Sequence, residues 1–350
     1  MHLTTRQQAG FSLVEVMAGL LIGLVTTVVI FQVLAVSEGY KRTATGGSEA
    51  VQSGAVSLYL LERDIRQAGA GLDRNRFGDQ INASAGSARP FNFILAPVRI
   101  VPGTGNTADT ITVLYANPSS NGDIKQVAAP GMTTATEDIN LSSSFGFALD
   151  DLFIIAAGGV NGSLGKVSAA VTDNTIKHQD NAVGIRYNEE GFPVAYPQGA
   201  SVMNLGGGNP VLGLPGLNQY TVSNNQLQIT QFLGDGATDT IADNVVTIKA
   251  QYGLDQDGDN VVDTFVLDSS TADGLPTGAN FRQVRAIRVA VLVRLGYMEK
   301  QAVSPASIKL WPDSTATPTT TGPSVTLSGN DLNFRYRVFT TTIPLRNVIW

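Results

Sequence analysis

The hydrophobic and polar positions divide this chain of 350 residues into an apolar N-terminal run, an amphipathic stretch and a long region of short alternating patterns. Phe11 to Val36 is almost continuously apolar, with one charge at Glu15. At the helical rise this run reaches about 39 Å, more than the roughly 30 Å of a bilayer core. A removable signal places a small residue after its apolar core, whereas Gly10 precedes this run. The pattern therefore predicts a retained membrane helix.

A second helical pattern follows the apolar run. Gly46-Gly47 predicts a break or soft point, because each glycine inside a helix costs about 1 kcal/mol relative to alanine, and Ser48 can cap the segment after it. Glu62 and Arg66 form an i,i+4 pair, and Gly69-Ala70-Gly71 suits the helix end. The opposite side carries an apolar stripe at helical spacing, formed by Val51, Ala55, Leu58, Leu61, Ile65 and Ala68. This amphipathic helix needs a partner, such as a sheet, to cover the stripe.

The region from Asp73 to about Thr240 combines short β-patterns with loops rich in glycine, asparagine, serine and threonine. Asp173-Asn174 and Asn224-Asn225 each suit a tight hairpin turn. The predicted strands are Phe91–Leu95, Thr110–Tyr115, Leu152–Ala156, Val167–Val171, Thr175–Lys177, Tyr220–Val222 and Leu227–Thr230. The predicted loops include Asn117–Gly122 and Asn204–Gly216. Such loops on a sheet scaffold are common places for binding, although their composition names no ligand.

The C-terminal third has the clearest β-pattern. Asn244–Tyr252 alternates between apolar and polar residues. Residues 285–294 alternate strictly and are rich in β-branched side chains, which predicts a central strand. Phe334–Ile343 is a further strand, and Pro344 ends it because proline cannot continue a ladder.

Composition excludes several classes of protein. The net charge is −6, so no basic footprint argues for nucleic-acid binding. Cysteine is absent, which excludes a disulfide framework and thiolate metal sites. The 37 glycines favour β-structure with long loops over further helices.

The residue inventory also argues against an enzyme. The sequence has two histidines, His2 and His178, so a Ser-His-Asp arrangement would need His178 with Asp173 or Asp180. We expect His178 to be a surface residue instead. Ser163 and Lys166 match an S-x-x-K pattern, but the glycines at 162 and 165 argue against the helix that such a nucleophile opens. No catalytic residues are predicted.

One acidic loop is a candidate metal site. Asp255, Asp257, Asp259 and Asp263 occupy positions 1, 3, 5 and 9 of a pattern that is similar to a calcium-binding loop, and position 8 is apolar. Position 6 is asparagine instead of glycine, and position 12, usually a bidentate glutamate, is Val266. The alternative is a solvated acidic turn between two strands. A bound Ca²⁺ would have a structural role.

Glu15 is the other candidate functional residue. A carboxylate in a membrane helix costs on the order of 2.5–3.5 kcal/mol at mid-bilayer, and less near the headgroups, where Glu15 could simply lie. If the chain were cut between Gly10 and Phe11, the new amine would be a cation four residues before Glu15. The amine of one subunit could then pair with Glu15 of another and remove two lone charges from lipid. Gly19 and Gly23 form a small-xxx-small pair that would allow close helix packing, although glycine is also common in membrane helices.

The N-terminal arrangement of Arg6 to Gly10, then Phe11 to Glu15 and an apolar run, resembles the type III signal of type IV prepilins and pseudopilins. The resemblance implies cleavage after Gly10 by a membrane prepilin peptidase and N-methylation of Phe11. It also implies that Glu15 acts in assembly with other pilins through the N-terminal helices.

The segments LERDIRQAG, YGLDQDGD, RVAVLVRL and YRVFTTTIPLRN resemble those of the PilW-like minor pilins, which are related to the J-type pseudopilins of type II secretion. The resemblance implies an α+β, pilin-like fold, in which a long N-terminal helix packs on an antiparallel sheet with large β insertions. The expected parts are a leader (1–10), a membrane and filament-core helix (11–36), its amphipathic continuation (37–71) and a β-rich globular domain (72–350), irregular over about 73–240.

The resemblance also implies where the protein works. It would span the bacterial inner membrane once with its C-terminal domain in the periplasm, and then enter the pilus at the cell surface. Counting basic residues does not favour this orientation, because Arg6 lies on one side of the run and Lys41 and Arg42 on the other.

The expected function is that of a minor pilin, a structural subunit for type IV pilus assembly and initiation at or near the tip, and so for twitching motility. One alternative is a type II secretion pseudopilin, which would be distinguished by loss of protein release instead of loss of pili. Another is a membrane-anchored ligand-binding, adhesin-like protein, which should tolerate replacement of Glu15.

Overall fold

The computed structural model describes residues 10–83, 91–117, 123–179, 187–188, 190–207, 213–234, 236–266, 281–311 and 323–348. These residues form one α-helix, α1 (Leu13–Gln67), and nineteen strands. The strands are β1 (Gln80–Asn82), β2 (Asn92–Ile94), β3 (Val98–Val101), β4 (Thr110–Tyr115), β5 (Lys125–Gln126), β6 (Ile139–Asn140), β7 (Leu152–Ala157), β8 (Val160–Lys166), β9 (Thr175–Ile176), β10 (Ser201–Gly206), β11 (Gly216–Ser223), β12 (Gln226–Gln231), β13 (Thr238–Asp243), β14 (Val245–Leu254), β15 (Thr264–Val266), β16 (Val284–Arg294), β17 (Ser307–Lys309), β18 (Ser324–Thr326) and β19 (Tyr336–Pro344).

The chain divides into two compact units, one up to Glu49 and one from Ala50 onward. In the first unit, every side chain from Phe11 to Val36 is exposed, including all the large apolar ones. Helix α1 is long and apolar enough to cross a membrane. Such a row of exposed apolar side chains has no cover within its own unit and suits a lipid or protein environment.

Of the predicted break or soft point at Gly46-Gly47, the break is wrong, because α1 continues through both glycines to Gln67. Once a helix is nucleated, each added residue gains a hydrogen bond, so the helix can continue through two glycines despite a cost of about 1 kcal/mol each. Ser48 therefore lies inside the helix and caps nothing.

The buried face of α1 in the second unit differs partly from the predicted stripe. Leu61, Ile65 and Ala68 are fully buried, but Val51 and Ala55 are exposed. The buried positions earlier in the helix are instead the small residues Ala50, Gly54 and Ser57. The ring of Phe339 on β19 leaves no room for a Cβ atom at position 54, so small residues are needed where the helix meets this strand.

The end of α1 is secured from the far end of the chain. The predicted glycine stop is confirmed, because the helix ends at Gln67 and Gly69 has φ of 82°. The side-chain amide of Asn347 also donates to the carbonyl oxygens of Gln67 and Ala68, at 3.1 and 3.3 Å. These bonds satisfy carbonyl groups that the helix itself leaves without partners.

The helix packs on the antiparallel C-terminal sheet, whose strand order is β15-β14-β16-β19. As predicted, residues 285–294 form a central strand. Ile287, Val289 and Val291 belong to the core shared with α1. Ala290 and Leu292 point to the other face, into a smaller core with Trp311 and the β17–β18 hairpin.

The middle region is more regular than predicted. It forms a six-stranded sheet, β2-β1-β8-β7-β10-β5, and a five-stranded sheet, β13-β12-β11-β4-β3, with two further cores. All pairs are antiparallel except β1 with β8. Both predicted turns are present, since Asp173, Asn174, Asn224 and Asn225 all have positive φ.

Two of the predicted boundaries in this region are wrong. Val167–Val171 is not a strand, because β8 ends at Lys166, and residues 204–206 of the predicted Asn204–Gly216 loop belong to β10. The loop prediction Asn117–Gly122 lies mostly outside the described residues. The fold is otherwise the predicted α+β arrangement of one long N-terminal helix and mainly antiparallel sheets.

Two buried polar clusters tie the layers of the second unit together. The carboxylate of Asp64, on α1, accepts hydrogen bonds from Arg63, from Asn218 at 2.7 Å and from the Tyr220 hydroxyl at 2.7 Å. Burial and the nearby carboxylate raise the pKa of Tyr220 far above its usual value. In the second cluster, the ammonium of Lys249 lies 2.8 Å from Asp109, and both side chains are buried.

Candidate functional site

The predicted processing site lies in accessible, non-helical chain just before α1. Gly10 and Phe11 are both exposed, Phe11 by 86%, and the helix begins at Leu13. A peptidase needs an accessible, non-helical segment at the bond that it cuts, and this segment meets that requirement. The rest of the predicted leader lies outside the described residues.

Glu15 lies in the first turn of α1 and takes part in a reciprocal cap that our sequence analysis missed. Its backbone N–H donates to the Ser12 hydroxyl at 3.2 Å, and the Ser12 N–H donates to the Glu15 carboxylate at 3.4 Å. This is a capping box, and Ser-x-x-Glu before an apolar run is its sequence signal. Glu15 thus helps to begin the helix, where a negative charge also suits the helix dipole.

The face around the two early glycines is open. A Cβ atom added at Gly19 or Gly23 would meet nothing within 4 Å. Further along, the hydroxyls of Thr26 and Thr27 donate to the carbonyl oxygens of Ile22 and Gly23, both at 2.8 Å. The polar groups of this segment are therefore satisfied within the helix, as an apolar environment requires.

In the acidic loop, three of the four predicted ligands come together. Oxygen atoms of Asp255, Asp257 and Asp263 lie within 4.8 Å of one another. Asp259 is outside this group, and its carboxylate accepts a hydrogen bond from the N–H of Val261 at 2.7 Å. Asn260, in the position of the usual glycine, has φ of 68°, as the calcium-loop comparison requires.

The same loop is also held by its own bonds. Asp255 is buried, accepts from the N–H groups of Gly258 and Asn260, and forms an ion pair with Arg285 at 3.0 Å. Burial acts to raise the pKa of Asp255, but the two N–H groups and the Arg285 guanidinium together bring it below its usual value. The three carboxylates fit a hard cation by their chemistry, while Arg285 already neutralises one of them. Calcium binding stays a prediction.

The expectation that His178 is a surface residue is wrong. Its ring is buried and stacks on Phe192 with 4.1 Å between centroids, and Nε2 contacts the carbonyl oxygen of Glu137 at 3.0 Å. Burial lowers the pKa of His178. The imidazole is therefore a packed core group, and Asp180 lies outside the described residues.

The S-x-x-K match has no nucleophile geometry. Ser163 and Lys166 lie on strand β8, not at the start of a helix. The Ser163 hydroxyl is buried and accepts a hydrogen bond from Tyr196 at 2.8 Å, and Lys166 pairs with Asp150 at 2.7 Å. The two side chains therefore bond to different partners and not to each other.

Comparisons with known proteins found a family match and a similar solved structure. Residues 217–347 match the family model of the type IV pilus-assembly protein W, PilW. A type IV-like pilin from Thermus thermophilus is similar in structure, with a TM-score of 0.37 and 10% sequence identity over 87% of this chain and 98% of that one. No relative was found among curated protein sequences.

The family match covers the strands from β11 to β19 and the segment that caps α1. It bears out the resemblance to PilW-like minor pilins over residues 217–347, which are less than half of the chain. Families of this kind are structural rather than enzymatic. The exposed apolar helix fits membrane anchoring, and the family fits contact with other pilus components.

Proposed function

We propose that this protein is a minor pilin, a structural subunit that takes part in assembly and initiation of a type IV pilus at or near its tip. One observation carries the proposal: the helix of the first unit exposes apolar side chains from Phe11 to Val36, with Glu15 as the single acid. A helix of this kind needs lipid before assembly and neighbouring helices after it. The PilW match of the C-terminal sheet supports a pilus as the assembly.

The proposal includes processing between Gly10 and Phe11, followed by N-methylation of Phe11. Cleavage places a cationic amine next to the capping box. The link from the Ser12 N–H to the Glu15 carboxylate is long, at 3.4 Å, and therefore weak. Glu15 can exchange this contact for the amine of a neighbouring subunit, an ion pair that is much stronger in lipid than in water.

Assembly then follows from this charge pairing. Before assembly, the helix anchors the subunit in the bacterial inner membrane, with its C-terminal domain in the periplasm. A lone carboxylate in the bilayer costs on the order of 2.5–3.5 kcal/mol at most, which is enough to favour a paired state over a lone one by tens to hundreds of times. Apolar helices can then bundle without an isolated charge.

The test separates the charge of Glu15 from its capping role. Glu15→Gln keeps a residue that can close a capping box but removes the charge, whereas Ser12→Ala opens the box and keeps the charge. We expect Glu15→Gln to abolish entry into pili and Ser12→Ala to retain it, measured by immunoblot of sheared pili and of membranes. The opposite result, assembly with Glu15→Gln and failure with Ser12→Ala, would show that Glu15 acts only as a helix cap.

Two measurements test the class of protein. Mass spectrometry of the mature chain should find N-methylated Phe11 at its amino terminus, and an intact Met1 would contradict the processing step. Deletion of the gene should remove surface pili and twitching. Loss of protein secretion with normal pili would instead point to a type II secretion pseudopilin.

A further inference from the structure

A second apolar and basic surface lies in the globular unit, on the loop after β16. Tyr297, Met298 and Val303 are exposed by 46, 51 and 38%. Backbone bonds hold this loop against the segment before β19, since the N–H groups of Leu295 and Glu299 donate to the carbonyl oxygens of residues 335 and 333, both at 2.8 Å. The exposed side chains are therefore presented by an ordered turn, which we call the 297 loop (residues 295–304).

Basic residues surround the 297 loop. Lys300 and Arg337 are exposed, and the guanidinium of Arg294 lies 4.3 Å from the centre of the Phe334 ring. Arg335 is paired with Glu299 at 3.1 Å. Among the described residues, the acid Asp331 lies in the segment that bonds to the loop, and Asp243 precedes Asn244, whose carbonyl oxygen accepts from the N–H of Arg294 at 2.8 Å. Segments 294–300 and 331–337 hold four basic and two acidic residues, whereas the whole chain carries −6.

Contacts within the second unit show at which end this loop lies. Asn347 bonds to the C-terminal end of α1, and Phe339 contacts Gly54 near the start of the helix in this unit. Strand β19 therefore runs alongside α1, and its first residue, Tyr336, lies about 10 Å beyond Phe339 at the strand rise. The residues that bond to the 297 loop, 332, 333 and 335, lie before Tyr336 and so still further in this direction. The loop thus lies at the end of the second unit where α1 enters at Ala50.

We infer that the 297 loop is a membrane-contact surface, which rests on a bilayer of anionic lipids while the subunit is anchored by its N-terminal helix. This inference depends on the membrane anchoring proposed above. Tyrosine and methionine suit the interface between headgroups and hydrocarbon, and each basic residue near an anionic surface adds attraction. The contact would hold the globular unit at the membrane until assembly removes the helix from the lipid.

The test uses the full chain, which has no cysteine, reconstituted in vesicles. Met298→Cys carries an environment-sensitive fluorophore, and Phe145→Cys, at a residue 72% exposed outside this loop, is the matched control. In phosphatidylcholine–phosphatidylglycerol vesicles, the label at 298 should shift to the blue and be quenched by a headgroup-linked quencher. In phosphatidylcholine alone the response should be weaker, and the label at 145 should respond in neither.

Charge variants test the lipid contact itself. Lys300→Gln and Arg337→Gln should each lower the equilibrium constant for lipid contact of the label at 298 by about fivefold, the equivalent of about 1 kcal/mol per basic residue. High salt should lower it as well. Vesicle flotation without any response at 298 would overturn the contact surface and leave the anchoring intact. Failure to float would overturn both. If the response of the label at 298 depends on the number of protein molecules per vesicle and not on the lipid charge, the loop contacts a protein partner. That result would overturn the inference.

Discussion

The helix of the first unit and the β-rich second unit differ in which side chains they expose and which they bury. In the first unit the apolar side chains from Phe11 to Val36 are exposed, and the one acid of that run, Glu15, has its hydrogen bonds within its own turn. In the second unit apolar side chains fill four cores, and acids such as Asp64 and Asp109 are fully buried with polar partners. The second unit buries most of its large apolar side chains in its own cores, whereas the apolar run of the first depends on surroundings that lipid or other subunits must supply.

The largest effect on stability should come from the buried ion pair of the second unit. Lys249→Met leaves the carboxylate of Asp109 buried without its cation, which should lower the free energy of unfolding by about 3–5 kcal/mol. The double variant Lys249→Met with Asp109→Asn should recover much of this loss, because no lone charge remains. Denaturant unfolding of the detergent-solubilised chain measures both. Equal losses in the single and double variants would show that the charge is not the cause.

Two glycines of α1 should respond in opposite directions to the same substitution. Gly54→Ala forces a Cβ atom into the Phe339 ring and should cost about 1–3 kcal/mol. Gly47→Ala meets nothing within 4 Å and should stabilise the helix by up to about 1 kcal/mol. Circular dichroism melts of the two variants measure the difference. Destabilisation by both would mean that position 47 also needs glycine.

The calcium prediction is tested by a matched pair of aspartates. If the loop binds Ca²⁺, a tenfold excess over Kd should stabilise the chain by about 1.4 kcal/mol, and a chelator should remove this gain. Asp257→Asn should abolish the response, whereas Asp259→Asn should keep it, because Asp259 lies outside the group of three carboxylates. A melting temperature that is the same with calcium and with chelator would leave only a solvated acidic turn.

The smallest effect should be a pH dependence from His178. Burial lowers its pKa in the folded chain, so the unfolded chain takes up the proton first as the pH falls below about 6.5. Stability should therefore decrease from about pH 6.5 downward, until the folded histidine is also protonated. The hydrogen bond with the Glu137 carbonyl and the charge of Asp138 act to raise this pKa, but the effect of burial is larger. Thermal melts from pH 7 to 5 measure the slope, and His178→Gln should remove it; an unchanged slope would assign it to other groups.

Local patterns in the sequence were sufficient for several elements. The apolar run predicted the helix of the first unit, strict alternation predicted β16 as a central strand, and Asn224-Asn225 predicted a hairpin. The Ser12–Glu15 capping box was also readable, although we considered only the charge of Glu15. The middle region was less predictable, because its strands are short and pair across long loops.

By itself, the sequence determined the position of the exposed apolar helix and which strand lies at the centre of its sheet. The spacing of apolar residues along the chain sets both features. Only the tertiary structure decided which face of α1 is buried, because the ring of Phe339 leaves room for glycine at position 54 but not for a larger side chain. It also decided that Asp64 lies in the core, with partners more than 150 residues away, that His178 is buried and that Asp259 stands apart from the other aspartates. Such outcomes depend on atoms from distant segments, which local periodicity does not encode.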